Sequence, residues 1–381
     1  MEKALRDFTA FGALGDGVTD NAPAFARALT ACKESGEALA IPVGLYRVTE
    51  TVRVPSGMTI VAERGARIRL DGERKRKRGE FLLANDDPAH GNADITVIGG
   101  VWDGGQDNPA NDKPDLFDTD GYSGACLNFV NVKGLVLRDV TVANTVTYFV
   151  RMGNVDGFVI ENIAFVSDRP AYNQDGLHFG GGCRNGAVCG VTALSRGQTN
   201  DDLLAFNADD CVTRVENYDL ARSAIENITV KNVFAEDCHT LIRLLSVTSP
   251  IRHIRISDVY GGYRCYAINA DGARYCRTPL FKEEDCPSGC GAIEDVVIER
   301  LCCHATSGKW DNPAVCLEEN ADGLVIGGFR HSRAADDKRP AFMARNVAGL
   351  AVTADGEKTV IRDKSETLVK EDFTALAVEK V

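Results

Sequence analysis

The chain has 381 residues and an acidic balance, with 43 Lys and Arg residues against 55 Asp and Glu residues and a net charge of −12. Nucleic-acid binding requires a basic face, so we expect no nucleic-acid partner. The one basic run, residues 74–78, is predicted to be a solvated loop because Gly72 and Gly79 flank it. No apolar run approaches the roughly 20 residues that span a bilayer, so we expect no membrane partner. The 44% hydrophobic content suffices for a large core, and composition does not fix the oligomeric state.

The start of the chain predicts a location and a first helix. Its first seven residues lack the charged-then-apolar layout of a secretory signal. We therefore predict a cytoplasmic protein, or a secreted one if a leader peptide has been removed. An amphipathic helix is predicted over residues 22–33, with Asp20 or Asn21 as its N-cap. Phe25 and Leu29 of this helix would cover one end of the core.

A turn followed by a short apolar segment recurs along the chain. Between these turns apolar residues alternate at period two, which indicates strands with one buried face. The longest interval between turns has room for further repeats through Ala187 and Leu204. A repeat of 20 to 50 residues built from strands alone predicts a parallel β-helix, a solenoid of stacked coils. The turns lie at positions 134, 157, 227, 253, 295, 323 and 349.

The sequence therefore predicts an all-β fold, a parallel β-helix with an N-terminal capping helix. We predict one domain over residues 1–381. The N-terminal cap and first coil would take up about residues 1–56, and a C-terminal cap or tail about residues 355–381. Asn at the turns fits this fold, because Asn tolerates the left-handed conformation and can form ladders of side chains.

Thirteen cysteines are expected to be reduced thiols in a cytoplasmic protein. Six of them fall close together in the sequence. Cys286 and Cys290 with Cys302 and Cys303 could hold zinc, but the spacing lacks the paired Cys-x-x-Cys of common zinc sites. We therefore favour buried or loop thiols and predict no metal and no other cofactor. The six are Cys265, Cys276, Cys286, Cys290, Cys302 and Cys303.

Two segments set three carboxylates about one repeat apart. Residues 173–178 read Asn-Gln-Asp-Gly-Leu-His and contain Asp175, and residues 200–207 contain the adjacent pair Asp201 and Asp202. Asp175 taken alone could be a turn residue, but two charges leading into an apolar strand are harder to explain by a turn. Side-by-side carboxylates suit hydrolysis of a glycosidic bond, in which one acid protonates the leaving oxygen and another carboxylate activates water.

These residues also resemble a known family. Residues 11–21, with residues 41–46, resemble the opening of pectin-lyase-like proteins, which are right-handed β-helices. Residues 173–176 and 201–207 are similar to the Asn-Thr-Asp-Gly and Asp-Asp-Cys-Ile-Ala-Ile-Asn segments of polygalacturonases, glycoside hydrolase family 28. The resemblance implies inverting hydrolysis of an oligosaccharide or glycoside. It makes Asp201 the general acid, Asp175 and Asp202 the carboxylates that hold and activate water, and Asn173 a substrate-binding residue.

The chain departs from the family pattern around these motifs. The family's histidine after the paired aspartates has no counterpart in residues 208–226, and Leu245 stands where a substrate-binding Lys is expected. Arg243 remains as a predicted substrate-binding residue. These losses disfavour polygalacturonate and favour a neutral or differently substituted sugar.

Histidines elsewhere could compensate for the missing one. Strand alternation puts His178 on the same outer face as Asp175, where it could bind substrate or tune a carboxylate. His239 and His253 are weaker candidates.

Two other functions stay open. The chain could be a non-catalytic β-helix that binds carbohydrate or serves in assembly. It could also be a calcium-dependent lyase or epimerase, whose metal would lie at Asp175, Asp201, Asp202 or the pair Asp209 and Asp210. The simplest interpretation of that second acidic pair is a solvated turn.

Overall fold

The structure is a computed structural model that describes residues 3–112, 121–210, 220–286, 289–307 and 309–381. Short 3-10 helices occur at Phe8–Phe11, Pro109–Asn111 and Glu283–Asp285. The helices and strands are, in chain order, β1 (Leu5–Asp7), β2 (Asp16–Asp20), α1 (Ala22–Ser35), β3 (Ala38–Ile41), β4 (Gly44–Val48), β5 (Val52–Val54), β6 (Thr59–Leu70), β7 (Leu83–Asn85), β8 (Asn92–Asp103), β9 (Leu127–Val130), β10 (Val132–Arg138), β11 (Thr141–Ala143), β12 (Val150–Gly153), β13 (Asp156–Val166), β14 (Leu177–Gly180), β15 (Arg184–Ala193), β16 (Asp202–Asn207), β17 (Ile225–Leu245), β18 (Ile251–Ala270), α2 (Gly272–Tyr275), β19 (Ile293–Ala305), β20 (Val315–Leu317), β21 (Ala321–Gly327), β22 (Arg330–Ser332), β23 (Phe342–Ala344), β24 (Leu350–Ala354), β25 (Glu357–Ile361), β26 (Leu368–Lys370) and β27 (Ala375–Lys380).

The strands stack in three parallel ladders, so the predicted parallel β-helix is confirmed. A long strand bends and contributes to two ladders, as β13 does when its first half pairs with β10 and its second half with β11. The ladder that matters for function runs β5, β7, β9, β12, β14, β16, β17, β18, β20, β23.

The predicted turns explain why one ladder repeats so regularly. The six predicted turn residues from 134 to 323 all have positive φ, for example Gly134 at 78° and Asn227 at 57°. The structure adds Asn185 at 58°, so the long interval holds one more coil of this ladder. Ala187 belongs to that coil, whereas Leu204 lies in β16 of a different ladder. Gly and Asn suit these positions because they adopt the left-handed conformation at low cost.

The two ends of the solenoid are built differently. Helix α1 confirms the predicted capping helix, and its Phe25 packs on Phe8 with ring centroids 4.3 Å apart. The N–H of Ala22 donates to the Asp20 carboxylate at 3.1 Å. At the other end β27 pairs antiparallel with both β21 and β24. The last strand thus lies between the coil with the turn at 323 and the strand that follows the predicted turn at 349. The predicted domain boundaries stay predictions.

Strand alternation separates the core from the site. In the functional ladder Leu177, Leu204 and Ile242 stack inward and are fully buried. Burying each such side chain stabilises the folded protein by about 1.5–3 kcal/mol. The intervening residues point outward, and His178 and Arg243 are among them, in register through Ala205. A rigid sheet thus presents polar side chains on one outer face.

Two predictions away from this face are corrected or refined. Arg76 of the basic run is buried and donates to Asn111 at 2.9 Å, so this run is only partly solvated. The described cysteines are free thiols. Cys290 lies with Cys286 in a small apolar cluster outside the main core, whereas Cys303 lies within the main core, so the four-cysteine zinc site does not form.

No described helix has the length and apolar character that crossing a membrane requires.

Candidate active site

The two acidic motifs are neighbours in space. Leu177 pairs with Leu204, and the same register carried back two residues sets Asp175 beside Asp202. Gly176 permits this approach, because its N–H donates to the Asp202 carbonyl at 2.9 Å. A Cβ at position 176 would lie 2.5 Å from the Leu203 carbonyl oxygen, which no other residue could tolerate without a backbone shift. The glycine of this Asp-Gly pair is therefore required by the stacking of two coils.

The three carboxyl groups differ in exposure, and all have raised pKa values. Asp175 and Asp202 are 3% and 2% exposed, whereas the Asp201 side chain is 26% exposed. Burial raises the pKa of Asp175 to about 6. Burial, with the charge of Asp175, raises the pKa of Asp201 to about 7. Burial also raises the pKa of Asp202 to about 7, against the opposing effect of Arg243. Near neutral pH such a cluster retains protons that exposed carboxyl groups have lost.

His178 lies between two carboxylates. Its Nδ1 is 2.6 Å from Asp175 Oδ2, and its Nε2 is 3.1 Å from Asp210 Oδ2. Burial lowers the pKa of His178, but the hydrogen bonds to Asp175 and Asp210 outweigh burial and raise it to about 9. The ring is 1% exposed. The predicted contact of His178 with substrate therefore does not fit, because both ring nitrogens bind carboxylates. The alternative role of tuning Asp175 does fit.

Arg243 is also occupied. Its guanidinium lies 3.3 Å from Asp202 Oδ2 and donates to Asp271 Oδ1 at 2.9 Å and to Tyr275 Oη at 2.7 Å. Arg243 is predicted to contact substrate, but in the structure its guanidinium forms an ion pair that holds Asp202. Asp271 and Tyr275 belong to a segment after β18 that the sequence interpretation did not connect with the site.

The same segment explains Leu245. The Leu245 side chain is fully buried in a small apolar cluster with Val247, Tyr275, Cys276 and Cys290. A Lys at this position would bury its charge there. Leu245 is therefore a packing residue, and the cost of burying an ammonium group in this apolar cluster disfavours the substrate-binding Lys of the family at this position.

His239 is the residue that the sequence interpretation undervalued. Thr240 pairs with Asp202, so His239 lies next to Asp201, and its Nδ1 is 3.7 Å from Asp201 Oδ1. Burial, with the nearby arginines, lowers the pKa of His239 to about 4, so the ring is neutral at pH 7. The partner of Asp202 on the next coil of this ladder is Thr240, so the position beside Asp201 falls beyond residues 208–226. His239 could be found from the sequence by searching for a histidine on the next coil of the ladder instead of within a fixed number of residues.

Other predicted residues have structural roles. The main-chain N–H of Asn173 donates to the Asp201 carboxylate and its side chain donates to Tyr148, so Asn173 positions the site from its rim. Asp209 is fully buried and accepts three main-chain N–H bonds and one hydroxyl bond from residues 247–249. Asp210 pairs with His178. The second acidic pair is therefore neither a solvated turn nor a free calcium site.

One group in the described part of the chain has metal-binding geometry. Donor atoms of Asp201, Asp202 and His239 lie within 4.8 Å of one another. Two carboxylates and a neutral imidazole suit a divalent cation. However, Arg243 already neutralises Asp202, so a cation there would face a guanidinium 3.3 Å from one of its ligands.

Comparisons with known proteins address the fold. No protein-family model matches the chain. The preneck appendage protein of Bacillus phage PZA is 35% identical over 97 residues, which are 25% of this chain and 10% of that protein. The chain therefore spans about a tenth of the length of this curated relative.

Three solved structures share the architecture. The iota-carrageenase of family GH82 from A. fortis matches with a TM-score of 0.58 at 13% identity, over 88% of each chain. The endo-xylogalacturonan hydrolase from Aspergillus tubingensis matches with a TM-score of 0.54 at 16% identity, over 95% of this chain and 100% of that chain. PfbA, a surface adhesin of Streptococcus pneumoniae, matches with a TM-score of 0.50 at 12% identity, over 94% and 100%.

These likenesses define the class of protein. The chain shares the right-handed parallel β-helix fold of these solved structures, which is the fold predicted from its sequence. Two glycoside hydrolases and an adhesin share this fold, so the chemistry must be argued from the site.

Proposed function

We propose that the protein is a glycoside hydrolase that cleaves an oligosaccharide or glycoside with inversion. The observation that carries the proposal is the meeting of three carboxyl groups with raised pKa on the outer face of one ladder. Inverting glycosidases need one protonated acid and one ionised base. This cluster offers both states near neutral pH.

Asp201 suits the general acid. It is the most exposed of the three carboxyl groups, and with a pKa of about 7 it still holds a proton near neutral pH. That proton passes to the glycosidic oxygen while the bond from this oxygen to the sugar carbon breaks. The neutral His239 beside it adds no positive charge that would lower the pKa of Asp201 and remove this proton before substrate binds.

Asp175 suits the general base. It ionises above a pKa of about 6, and the protonated His178 holds it in place. A water attacks the sugar carbon from the face opposite the leaving oxygen and gives its proton to Asp175. Asp202 is held by the guanidinium of Arg243, 3.3 Å from its Oδ2, which disfavours it as the group that takes a proton from water. We therefore assign Asp202 to orienting the water beside Asp175.

The charges around the site favour an uncharged sugar. Arg243 pairs with Asp202 and Asp271, and Arg274 lies 3.2 Å from Asp271. These guanidinium groups are thus already neutralised, and Leu245 is apolar. A uronate or sulfate group would have to displace a buried carboxylate to reach Arg243, whose side chain is 11% exposed.

The test is a screen of neutral and anionic oligosaccharides for new reducing ends. Asp201→Asn should lower kcat by about 100-fold or more, the range of general-acid contributions. Asp295→Asn, an exposed carboxylate at a turn of another ladder, is the matched control and should keep full activity. The pH dependence of kcat/KM should be bell-shaped with limbs near 6 and 7, and proton NMR should show the inverted anomer first. Undiminished activity of Asp201→Asn would refute the acid assignment.

A second candidate is an assembly or carbohydrate-binding module without catalysis. The 97-residue match to a phage appendage protein favours it. Binding of a sugar without hydrolysis by the unaltered protein would support this candidate. An unsaturated product that absorbs in the ultraviolet would instead support a lyase.

A further inference from the structure

An exposed tryptophan lies beside the proposed general acid. The chain has two tryptophans, and Trp102 is fully buried in the core. Trp310 is 39% exposed, and its ring stands edge-on to His239 with centroids 6.3 Å apart. Because His239 contacts Asp201, the indole is two side chains away from the acid. Its exposed face contributes nothing to the core, so packing alone does not explain a Trp here.

A cavity of about 600 Å³ adjoins Trp310. Ligand sites of roughly 300–1,000 Å³ are typical for small molecules. The lining combines an aromatic face with hydroxyl, carboxylate and ammonium groups. It therefore offers both hydrogen-bond donors and acceptors, and both positive and negative charges. A pyranose ring has a matching pattern, with C–H groups on one face and hydroxyls around its rim. The polar lining residues include Thr306, Ser307, Asp311, Asp337 and Lys338.

The loop that carries Trp310 is tied to the coils that carry the acid. Thr306 donates its hydroxyl hydrogen to the Asp237 carboxylate, two residues before His239. Arg264 bridges the Asp237 carbonyl and Asn200 Oδ1, the latter at 2.6 Å. Asn312 donates to the Cys265 sulfur at 3.0 Å. Anchors on both sides of Trp310 hold the indole at a fixed place relative to Asp201.

One face of the indole carries a displaceable cation. Lys309 Nζ lies 5.2 Å from the ring centroid, and this side chain is exposed. The negative π face that attracts an ammonium also attracts the positively polarised C–H groups of a sugar. Since Lys309 can turn into water, a sugar ring can take its place.

We propose that Trp310 and the adjoining cavity form a subsite for an uncharged pyranose unit next to the bond to be cleaved. The inference rests on the proposed function and deepens it, because it makes a neutral oligosaccharide the substrate. Both signs of charge in the lining disfavour a polyanionic chain.

Fluorescence can isolate this subsite from catalysis. The Asp201→Asn variant is titrated with neutral gluco-, xylo-, manno- and galacto-oligosaccharides of three to six units. Trp102 is buried, so a change in emission or in acrylamide quenching reports on Trp310. We expect one series to alter the emission, and Trp310→Ala added to Asp201→Asn should weaken its binding at least 10-fold by calorimetry. In the active enzyme Trp310→Ala should raise KM more than it lowers kcat. Tyr260→Ala, an exposed aromatic on another ladder, is the control.

The outcomes separate the two proposals. Trp310-dependent binding with no hydrolysis by the unaltered protein would keep the subsite and refute the hydrolase. Hydrolysis with binding that Trp310→Ala leaves unchanged would keep the hydrolase and overturn the subsite. Binding of anionic oligosaccharides alone, or of none, would also overturn the subsite.

Discussion

Glu319 is a fully buried carboxyl group beneath the candidate active site, and its replacement by Gln should stabilise the protein increasingly as the pH rises. Its Oε1 accepts the main-chain N–H of Ser246 at 3.0 Å and of Gly272 at 2.6 Å. It thereby fixes the segment whose Asp271 and Tyr275 hold Arg243. Burial raises the pKa of Glu319 well above its usual range, so the folded protein keeps this proton near neutral pH.

The sign follows from proton binding in the two states. Above about pH 4.5 the unfolded chain loses the Glu319 proton while the folded protein keeps it, so the native state binds more protons. The free energy of unfolding then falls with rising pH by about 1.4 kcal/mol per pH unit until the folded pKa is reached. Gln binds no proton in either state. The stability of Glu319→Gln relative to the unaltered protein should therefore increase by about 3 kcal/mol from pH 5 to pH 7.

Urea unfolding followed by circular dichroism at pH 5, 6 and 7 measures this difference. Glu236→Gln, at an exposed position, should show no such trend. Glu319→Ala should be destabilised by about 2–6 kcal/mol at pH 5, because two buried N–H groups lose their acceptor at about 1–3 kcal/mol each. This cost should shrink by about 3 kcal/mol by pH 7, because Ala, like Gln, binds no proton. A difference between Glu319→Gln and the unaltered protein that stays flat with pH would show that Glu319 is ionised in the fold, and would refute the reasoning.

Two further substitutions test the interpretation of the site. His178→Gln should cost about 3–5 kcal/mol in urea unfolding at pH 7, since it leaves the buried Asp175 and the partly buried Asp210 without their cation. His90→Gln at an exposed pair should change little, and equal stability of the two variants would contradict the role of His178 between two carboxylates. Leu245→Lys, which restores the residue expected from the family, should cost about 4 kcal/mol or more, because burial can shift the pKa of a Lys by three units or more. It should also confer no hydrolysis of polygalacturonate in a reducing-end assay, and gain of that activity would show that the position is open to substrate.

Several features of the site follow from local sequence. Asp175 and Gly176 were identified together, and the glycine is required because the next coil passes within contact distance of its Cα. Asp201 and Asp202 lead into a strand that the sequence predicts from its apolar residues. The roles of His178 and Arg243 cannot be predicted in this way, because their burial and their partners depend on side chains from other coils. Asp210 and Asp271, which bind these two cations, lie 32 and 28 residues away in sequence.

By itself, the sequence determined the solenoid. Period-two alternation and turns that need the left-handed conformation act over a few residues, so they can be recognised without the fold. The tertiary structure decided which residues meet across coils. Coils differ in length, so the number of residues between two positions does not tell whether they lie side by side in a ladder. His239 lies beside Asp201, although it is outside residues 208–226, where the family pattern places a histidine. Leu245 likewise lies at an expected binding position but is a packing residue, because only the folded chain brings Tyr275, Cys276 and Cys290 into one apolar cluster with it.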